Sequence, residues 1–486
     1  MDSVRVRFAP SPTGYLHVGG ARTALFTWLF ARHHAGTFIL RIEDTDLSRY
    51  QPDALEDIMA GLRWLGLEWD EGPEVGGDFG PYFQSQRLSI YREYAHKLVE
   101  SGHAYRCYCS RERLDRLRKE QQARKEPPGY DRHCRNLTDK EIAQFESQGI
   151  TPVIRFKIPL EGQTTFRDLI RGDITVENST LDDHVLLKSD GYPTYHLANV
   201  VDDHLMGISH VTRADEWIPS TPRHILQYQA LGWEPPQFAH LPIILAPEGK
   251  GKLSKRHGAT ALIEFKKQGF LPEAMINFLA LLGWSYEDGR EFFSRDDLIE
   301  NFDLARVNAA PAAFSYEKLE KINGVYIRNL EADDLAERIL PFLREAGLKA
   351  DPPTVRRLGP LIRERMARLS EVVGLVDFFF IADYPRPDPQ LLIGKKMTAD
   401  QTRRALVAAR EKLAALGSFD EGSIEETLRA LAQELGLTAG QLFTPIRIAA
   451  TGKKVAPPLF GTLSILGRER VLDSLGWAIS ALEGEP

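Results

Sequence analysis

The sequence predicts an elongated, multidomain chain with two unlike halves. The first is a doubly wound parallel α/β sheet interrupted by an inserted α+β domain, and the second is all-α. Three observations carry this expectation. Strand-like and helical segments alternate up to about residue 100 and again from about residue 191, short strands around a charged helical stretch separate the two runs, and strand signals nearly vanish beyond about Gly258. A length of 486 residues fits several domains, because single cores stop growing at roughly 250–300 residues.

Val4 to Phe8 alternates apolar residues with arginine in the manner of a strand. A Pro/Gly loop follows, and Ala21 to His34 reads as an apolar-rich helix ended by Gly36. Thr37 to Ile42 is a second strand, and Pro52 opens a helix in which Leu55, Ile58, Met59 and Leu62 recur at helical spacing until Gly66. This is expected to be the first half of a Rossmann-type domain, residues 1–100. The insertion, 101–190, holds the strands Ala104 to Cys109 and Val153 to Ile158. The sheet resumes over 191–258 with His196 to Met206, a strand around Val211 and the helix Pro222 to Leu231. Helical modules are expected over 259–326, 327–385 and 386–486. In the middle one, Asp334 to Ala346 places Leu335, Ile339, Phe342 and Leu343 on one face, closed by Gly347. The last two are separated by a linker, Asp383-Tyr-Pro-Arg-Pro-Asp-Pro389, whose prolines cannot continue a helix.

The formal charge of -7 decides little about a nucleic-acid partner, since recognition depends on local patches. Arg111 to Lys125 is basic but interleaved with acids, as a solvated helix face would be. Three cysteines cannot form a disulfide framework, and the first residues lack the apolar core of a secretory signal, so the cytoplasm is the expected compartment. Apolar runs fall short of the roughly 20 residues that span a bilayer. No membrane partner is expected.

At the first strand-to-helix turn, Gly14, Gly19 and Gly20 permit close approach of backbone to a ligand, and the helix N-terminus offers free N–H groups to an anion. Such turns also serve plain packing. His17 favours a phosphate site, because an imidazole there can donate to a transferring phosphoryl group. Roughly 235 residues later comes the basic loop Lys250-Gly-Lys-Leu-Ser-Lys-Arg256, which by itself would be a solvated surface loop. Cys107-Tyr-Cys109, followed after 24 residues by Cys134, has the look of a metal site; three thiolates favour structural Zn2+, with reduced metal-free cysteines as the alternative.

The segments Pro10-Ser-Pro-Thr-Gly-Tyr-Leu-His-Val-Gly-Gly20 and Lys252-Leu-Ser-Lys-Arg256 look like the two signature sequences of class I aminoacyl-tRNA synthetases. From Arg5 to near its end the chain resembles the bacterial glutamyl branch of that class, through Ala9-Pro-Ser-Pro-Thr-Gly14, Arg41-Ile-Glu-Asp-Thr-Asp46, Gly191-Tyr-Pro-Thr-Tyr-His196 and Val200-Val-Asp-Asp-His204. The resemblance implies that ATP is held by Ser11, Gly14, His17, Gly19, Gly20, Lys252, Ser254 and Lys255, with His17 and Lys255 catalytic and Lys255 stabilising the departing pyrophosphate. The last histidine of the general signature is here Gly20, which puts more of that work on His17 and the lysine loop. Mg2+ is implied by the triphosphate, held largely by phosphate oxygens and water.

A side-chain carboxylate calls for cations, and arginine's planar fork suits it. Arg7, on a strand covered on both faces, is a candidate; the alternative is that it pairs with an internal acid such as Glu43 or Asp44. The resemblance assigns Arg7, Ala9, Ser11, Glu43, Tyr195, Asn199 and Arg213 to L-glutamate, with Glu43 facing its ammonium. Glutamine would then be rejected, because its amide leaves arginine charge unpaired.

In related synthetases a histidine two residues after the third cysteine completes the metal site. That position is Asn136 here, which leaves Tyr130 and His133, and the resemblance implies Tyr130 as fourth ligand, because some relatives carry a tyrosine at this spacing. The helical half is expected to follow tRNA(Glu) to its anticodon, with the basic helix Arg356 to Arg368 as reader, or else as a solvated surface, and Arg365 as the anticodon candidate. A monomer is expected, charging tRNA(Glu), with a form that also charges tRNA(Gln) as the alternative. A glutaminyl enzyme would show Pro-Glu-Pro-Asn-Gly and a β-rich second half, a shorter tRNA-modifying paralogue would end near residue 300, and a nucleotidyltransferase would lack the helical half.

Overall fold

The structure is a computed structural model and describes residues 3–286, 289–381 and 384–483, with only the backbone of Lys255. The chain forms two compact units, one of Met1–Phe265 with Pro272–Tyr316 and one of Lys266–Leu271 with Glu317–Pro486.

The strands of the first unit are, in chain order, β1 (Arg5–Phe8), β2 (Thr37–Leu40), β3 (Ala104–Cys107), β4 (Val153–Phe156), β5 (Gln163–Asp168), β6 (Gly172–Glu177), β7 (Val185–Leu187), β8 (His210–Ala214), β9 (Gln237–Leu241) and the short pair β10 (Ile244–Leu245) and β11 (Ala312–Ala313). The main sheet has the order β2-β1-β8-β9-β5-β6. Its first five strands run parallel and β6 is antiparallel to β5. The parallel run buries Val6, Phe38, Ile39, Leu40 and Val211 completely, as strands covered on both faces must. Between β1 and β2 lies helix α1 (Val18–His33), buried almost all round, with Phe26 edge-on to Phe302 at 5.1 Å. Where α1 turns back to β2, a Cβ on Gly36 would lie 2.3 Å from the Val4 carbonyl oxygen, so only glycine fits.

Two features differ from the sequence reading. Helix α1 begins at Val18, three residues before Ala21, because the His17 ring caps it. The segment 101–190 also divides between two sheets. Strands β3, β4 and β7 form a separate antiparallel sheet, whereas the hairpin β5-β6 joins the main sheet where Asp168 pairs with Phe238. Thr164, Phe166 and Asp168 point to the covered face of β5 and its alternate residues are exposed, so one covered face suffices for this mostly polar strand. The charged helix Arg111–Ala123 buries no residue, as its interleaved charges predict.

The second unit has no strand among its described residues. Helix Ala332–Glu345 buries Leu335, Ala336, Ile339 and Leu343 on one face. Residues 399–482 close a separate core around Leu406, Leu413, Leu428, Ile446, Leu463 and Leu475. Asp383 of the expected linker lies outside the described residues. No described helix is long and apolar enough to cross a membrane.

Candidate active site

A cavity of about 400 Å3 opens at the C-terminal ends of β1, β8 and β9 and is lined by Arg7, Ala9, Ser11, His17, Gly19, Gly20, Arg22, Glu43, Tyr195, Arg213, Glu216, Trp217 and Lys252, among others. From β1 the chain leaves to β2 on one side while β8 lies on the other, and ligands of open α/β sheets bind at such switch points. Backbone bonds join the two distant signature segments. Val18 N–H donates to the Thr260 carbonyl (2.9 Å) and Leu262 N–H to the Leu16 carbonyl (2.8 Å), just beyond the lysine loop. The Glu43 N–H donates to the Pro10 carbonyl (3.0 Å), which brings the end of β2 to the same place.

At the phosphate end, His17 Nδ1 accepts from the Gly20 backbone N–H (3.1 Å), capping α1. Burial and the nearby Lys252 charge push its pKa down, against Glu216, so the ring is neutral at pH 7 and its one proton sits on Nε2. The cap therefore leaves a donor at a helix N-terminus. A Cβ on Gly19 would meet the His17 ring at 3.0–3.1 Å, which explains a small residue there, whereas a Cβ on Gly14 would meet nothing within 4 Å. Gly14, Ser254 and Lys252 line an adjoining cavity of about 370 Å3 with His17 and Gly19. Lys252 Nζ is 2.8 Å from Glu216, and Ser254 contacts His257 Nδ1 at 3.1 Å. The side chain of Lys255 lies outside the described residues.

At the other end, Arg7 and Arg213 stand in different electrostatic situations. Arg7 donates to Asp203 through Nε (2.9 Å) and Nη2 (3.2 Å) and to Asn199 Oδ1 (3.0 Å). Its partner is thus Asp203, not Glu43 or Asp44. Arg41, fully buried, binds Asp203 as well (2.6 Å) and Glu43 (3.2 Å), while Asp44 accepts from the backbone and hydroxyl of Ser85. Burial raises the pKa of Glu43, opposed by Arg41 and Arg7. Asn199 accepts from both arginines (3.0 and 3.4 Å) and is absent from the cavity lining. Among the described residues, Arg213 has only uncharged partners, namely His240 Nε2 (3.0 Å), the Tyr195 hydroxyl (3.2 Å), His224 Nδ1 (3.3 Å) and Thr221 Oγ (2.8 Å). Burial and the Arg213 charge lower both histidines' pKa values, for His240 against the opposing hydrogen bond to Asp168. A buried guanidinium with no carboxylate beside it is costly until an anion arrives.

Several cavity residues were missed from the sequence. Trp217 packs on Tyr195 (4.1 Å, 34°). Arg22 is buried and donates to the carbonyls of Pro242 and Leu282 (3.1 Å for the latter); burial pulls its pKa down to about 10. Asp203 lay within the quoted Val200 to His204 motif, the available signal for it.

In the β3-β4-β7 region, the sulfurs of Cys107, Cys109 and Cys134 lie within 4.8 Å of one another. Cys109 and Cys134 are 3.5 Å apart, and the Tyr130 hydroxyl is 3.2 Å from Cys107 and 3.4 Å from Cys109. Thiolates sharing one zinc at about 2.3 Å sit roughly 3.8 Å apart, so the set fits this ion. Hydrogen bonds from the other two thiols pull the pKa of Cys107 far down, and Arg155 Nε donates to the same sulfur (3.3 Å). His133 is exposed and outside the cluster.

In the second unit, the helix expected to run from Arg356 to Arg368 stops at Ile362 and gives way to the turn Arg363–Arg365. Arg365 is exposed there, near Arg447 of helix Ala439–Thr451, whose pKa is lowered by burial and by the Arg365 charge.

Residues 3–321 match the family described as tRNA synthetases class I (E and Q), catalytic domain, and residues 334–479 the family described as Anticodon binding domain. The chain is 56% identical to a glutamate-tRNA ligase of Dehalococcoides mccartyi, over 100% of this chain and 99% of that one. It is 47% identical to one of Treponema denticola, over 98% and 99%. The crystal structure of a glutamate tRNA ligase from Elizabethkingia meningosepticum in complex with its amino acid is similar with a TM-score of 0.91 at 38% identity, covering 99% of this chain and 100% of that one.

Proposed function

The chain belongs to the class I (E and Q) tRNA synthetases, and from that premise we propose how its residues divide the work of a glutamate-tRNA ligase. It is such a ligase. Glutamate's α-carboxylate attacks the α-phosphorus of ATP, giving glutamyl-adenylate and pyrophosphate, and the terminal ribose hydroxyl of tRNA(Glu) then attacks the carbonyl carbon of that anhydride, forming the ester and releasing AMP. No protein nucleophile is needed, so catalysis rests on orientation and charge.

One observation carries the amino-acid assignment: Arg213 is a buried cation whose partners among the described residues are all neutral. The substrate's side-chain carboxylate supplies the missing charge. Tyr195 accepts from Arg213 and keeps its own proton for the substrate. Glu43 receives the ammonium, which offsets the raised pKa of that buried carboxyl. Arg7, already bonded to Asp203, acts mainly by fixing Asn199 and the wall around it. Ala9 and Ser11 close the loop side. ATP lies along Ser11, Gly14, Gly19 and Gly20, with His17 Nε2 and the lysine loop at its phosphates, and Mg2+ is held by phosphate oxygens and water. Arg365, beside Arg447, reads the anticodon. A monomeric, cytoplasmic enzyme is proposed: residues of one chain line the whole cavity, and three free cysteines suit a reducing compartment.

The test is ATP-dependent charging of purified tRNA(Glu) with labelled glutamate, and folded protein that charges none would overturn the reading. In that assay Lys255→Ala is expected to lower kcat about 10²-fold with glutamate KM changed less than about threefold, as loss of a group that acts on the leaving phosphate requires. Equal effects on both constants would remove Lys255 from that role.

Zinc held by Cys107, Cys109, Cys134 and Tyr130 would fix the fold of the inserted region, with Arg155 offsetting its excess negative charge. Protein purified without chelator is expected to carry about one zinc per chain by elemental analysis, and Cys134→Ser to lose it. Metal-free, folded wild-type protein would contradict this.

A further inference from the structure

Arg213, His240 and Asp168 stand on three adjacent parallel strands, β8, β9 and β5. Arg213 Nε donates to His240 Nε2 (3.0 Å), and His240 Nδ1 lies 2.6 Å from Asp168 Oδ2. Asp168 and His240 are 1% and 0% exposed, and neither lines the cavity. The carboxylate cannot swing away, because Oδ2 also accepts from the His240 backbone N–H (3.0 Å) while Oδ1 accepts from those of Ile170 and Arg171 (both 3.0 Å). With Nδ1–H donating to Asp168, the neutral ring has one lone pair left, on Nε2, which faces the guanidinium and also lies 3.1 Å from the Thr221 hydroxyl. On the other side, His224 Nδ1 accepts from Arg213 and its Nε2 is 3.1 Å from His196 Nδ1.

We infer that Asp168 and His240 are positioning residues for amino-acid selection, aiming the Arg213 guanidinium at the substrate's side-chain carboxylate without neutralising it. The inference rests on the reading of Arg213 given above. The contrast with Arg7 supplies the physical reason. A carboxylate bonded directly to a guanidinium, as Asp203 is to Arg7, satisfies its charge as well as its direction. With an imidazole between them, the acid fixes the ring and the ring fixes the arginine, but the positive charge at the cavity is left for the ligand. A protonated ring would place cation against cation, and burial holds the His240 pKa down against that. Thr221 completes the frame, accepting from Arg213 Nη2 (2.8 Å) and donating to the Trp217 carbonyl (3.1 Å).

The experiment uses the full-length enzyme charging tRNA(Glu), with KM measured separately for glutamate and ATP and with glutamine as competitor. His240→Leu, which fills the space and removes the acceptor, is expected to raise glutamate KM and to lower the preference for glutamate over glutamine by about tenfold or more, with ATP KM and kcat within about threefold. His240→Gln, whose amide oxygen can accept from Arg213, should restore most of the loss. The inference is overturned if His240→Leu leaves glutamate KM within about twofold, if ATP KM rises as much as glutamate KM, or if the glutamine variant is no better than the leucine one. Should His240→Leu fail to fold, Asp168→Asn decides. Its amide must present N–H to donors on one side, and a loss of glutamate preference supports the relay whereas unchanged preference overturns it. Arg213→Met run in parallel separates the two levels. If that variant keeps the glutamate preference, the carboxylate reading itself fails; if it loses the preference while both His240→Leu and Asp168→Asn keep it, only the relay fails.

Discussion

Replacing Arg213 by methionine is expected to lower kcat/KM for glutamate by about 10²- to 10³-fold, carried mostly by KM, while discrimination against glutamine collapses. The size follows from where the charge sits. Arg213 is 5% exposed and its four side-chain partners are neutral, so in the complex the substrate carboxylate is its only anion among the described groups. A charge-assisted bond in such surroundings is worth considerably more than one in water. Glutamine, which never made that ion pair, should lose much less, and the ratio of the two amino acids is therefore the decisive readout. Steady-state charging of tRNA(Glu) with each amino acid in competition measures it. An unchanged ratio would assign side-chain recognition elsewhere. The same substitution at Arg7 would be harder to read, since it would leave Asp203 with Arg41 alone among its described cationic partners and mix lost binding with lost stability.

That difference between two arginines marks how far the sequence is legible. Alternating strands and helices announced the parallel sheet, because period and turn residues are local signals, and helical spacing announced the second unit. Family motifs put Arg7, Ser11, Glu43, Tyr195 and Arg213 on one list, and the fold brings them to one cavity. Which acid takes which arginine was not legible. Glu43 and Asp44, close to Arg41 in sequence, serve Arg41 and Ser85, while Asp203 reaches Arg7 from a helix nearly 200 residues away. Such pairings depend on how the helix Tyr195–Leu205 brings Asn199 and Asp203 to Arg7 and Arg41, and no local pattern records that. The hairpin β5-β6 was missed for a related reason. Gln163-Thr-Thr-Phe-Arg-Asp168 is too polar to read as a sheet strand, and its place is fixed by long-range contacts, including the Asp168 bond to His240. The start of α1 went unread because histidine is an uncommon cap, outranked by Ser, Thr, Asp and Asn.

This uncommon cap makes the His17 variants the sharpest test of the phosphate end. His17→Ala removes two things at once: the acceptor that holds the Gly20 N–H and the Nε2 donor beyond it. The first loss should cost about 1 kcal/mol of stability, the usual value of an N-cap. The second should lower kcat by about 10²- to 10³-fold, as for removal of one donor aimed at charge that develops in the transition state, with glutamate KM little changed. His17→Asn separates them. Its side-chain oxygen suits the cap position and can accept from the same N–H, but its amide does not extend as far as Nε2 does in the histidine ring. Thermal unfolding should therefore return to near the wild-type midpoint in the asparagine variant while pyrophosphate release stays as slow as in the alanine one. If asparagine restores turnover together with stability, His17 serves the helix alone, and the stabilising charge at the phosphates must come from the lysine loop and the free N–H groups of α1.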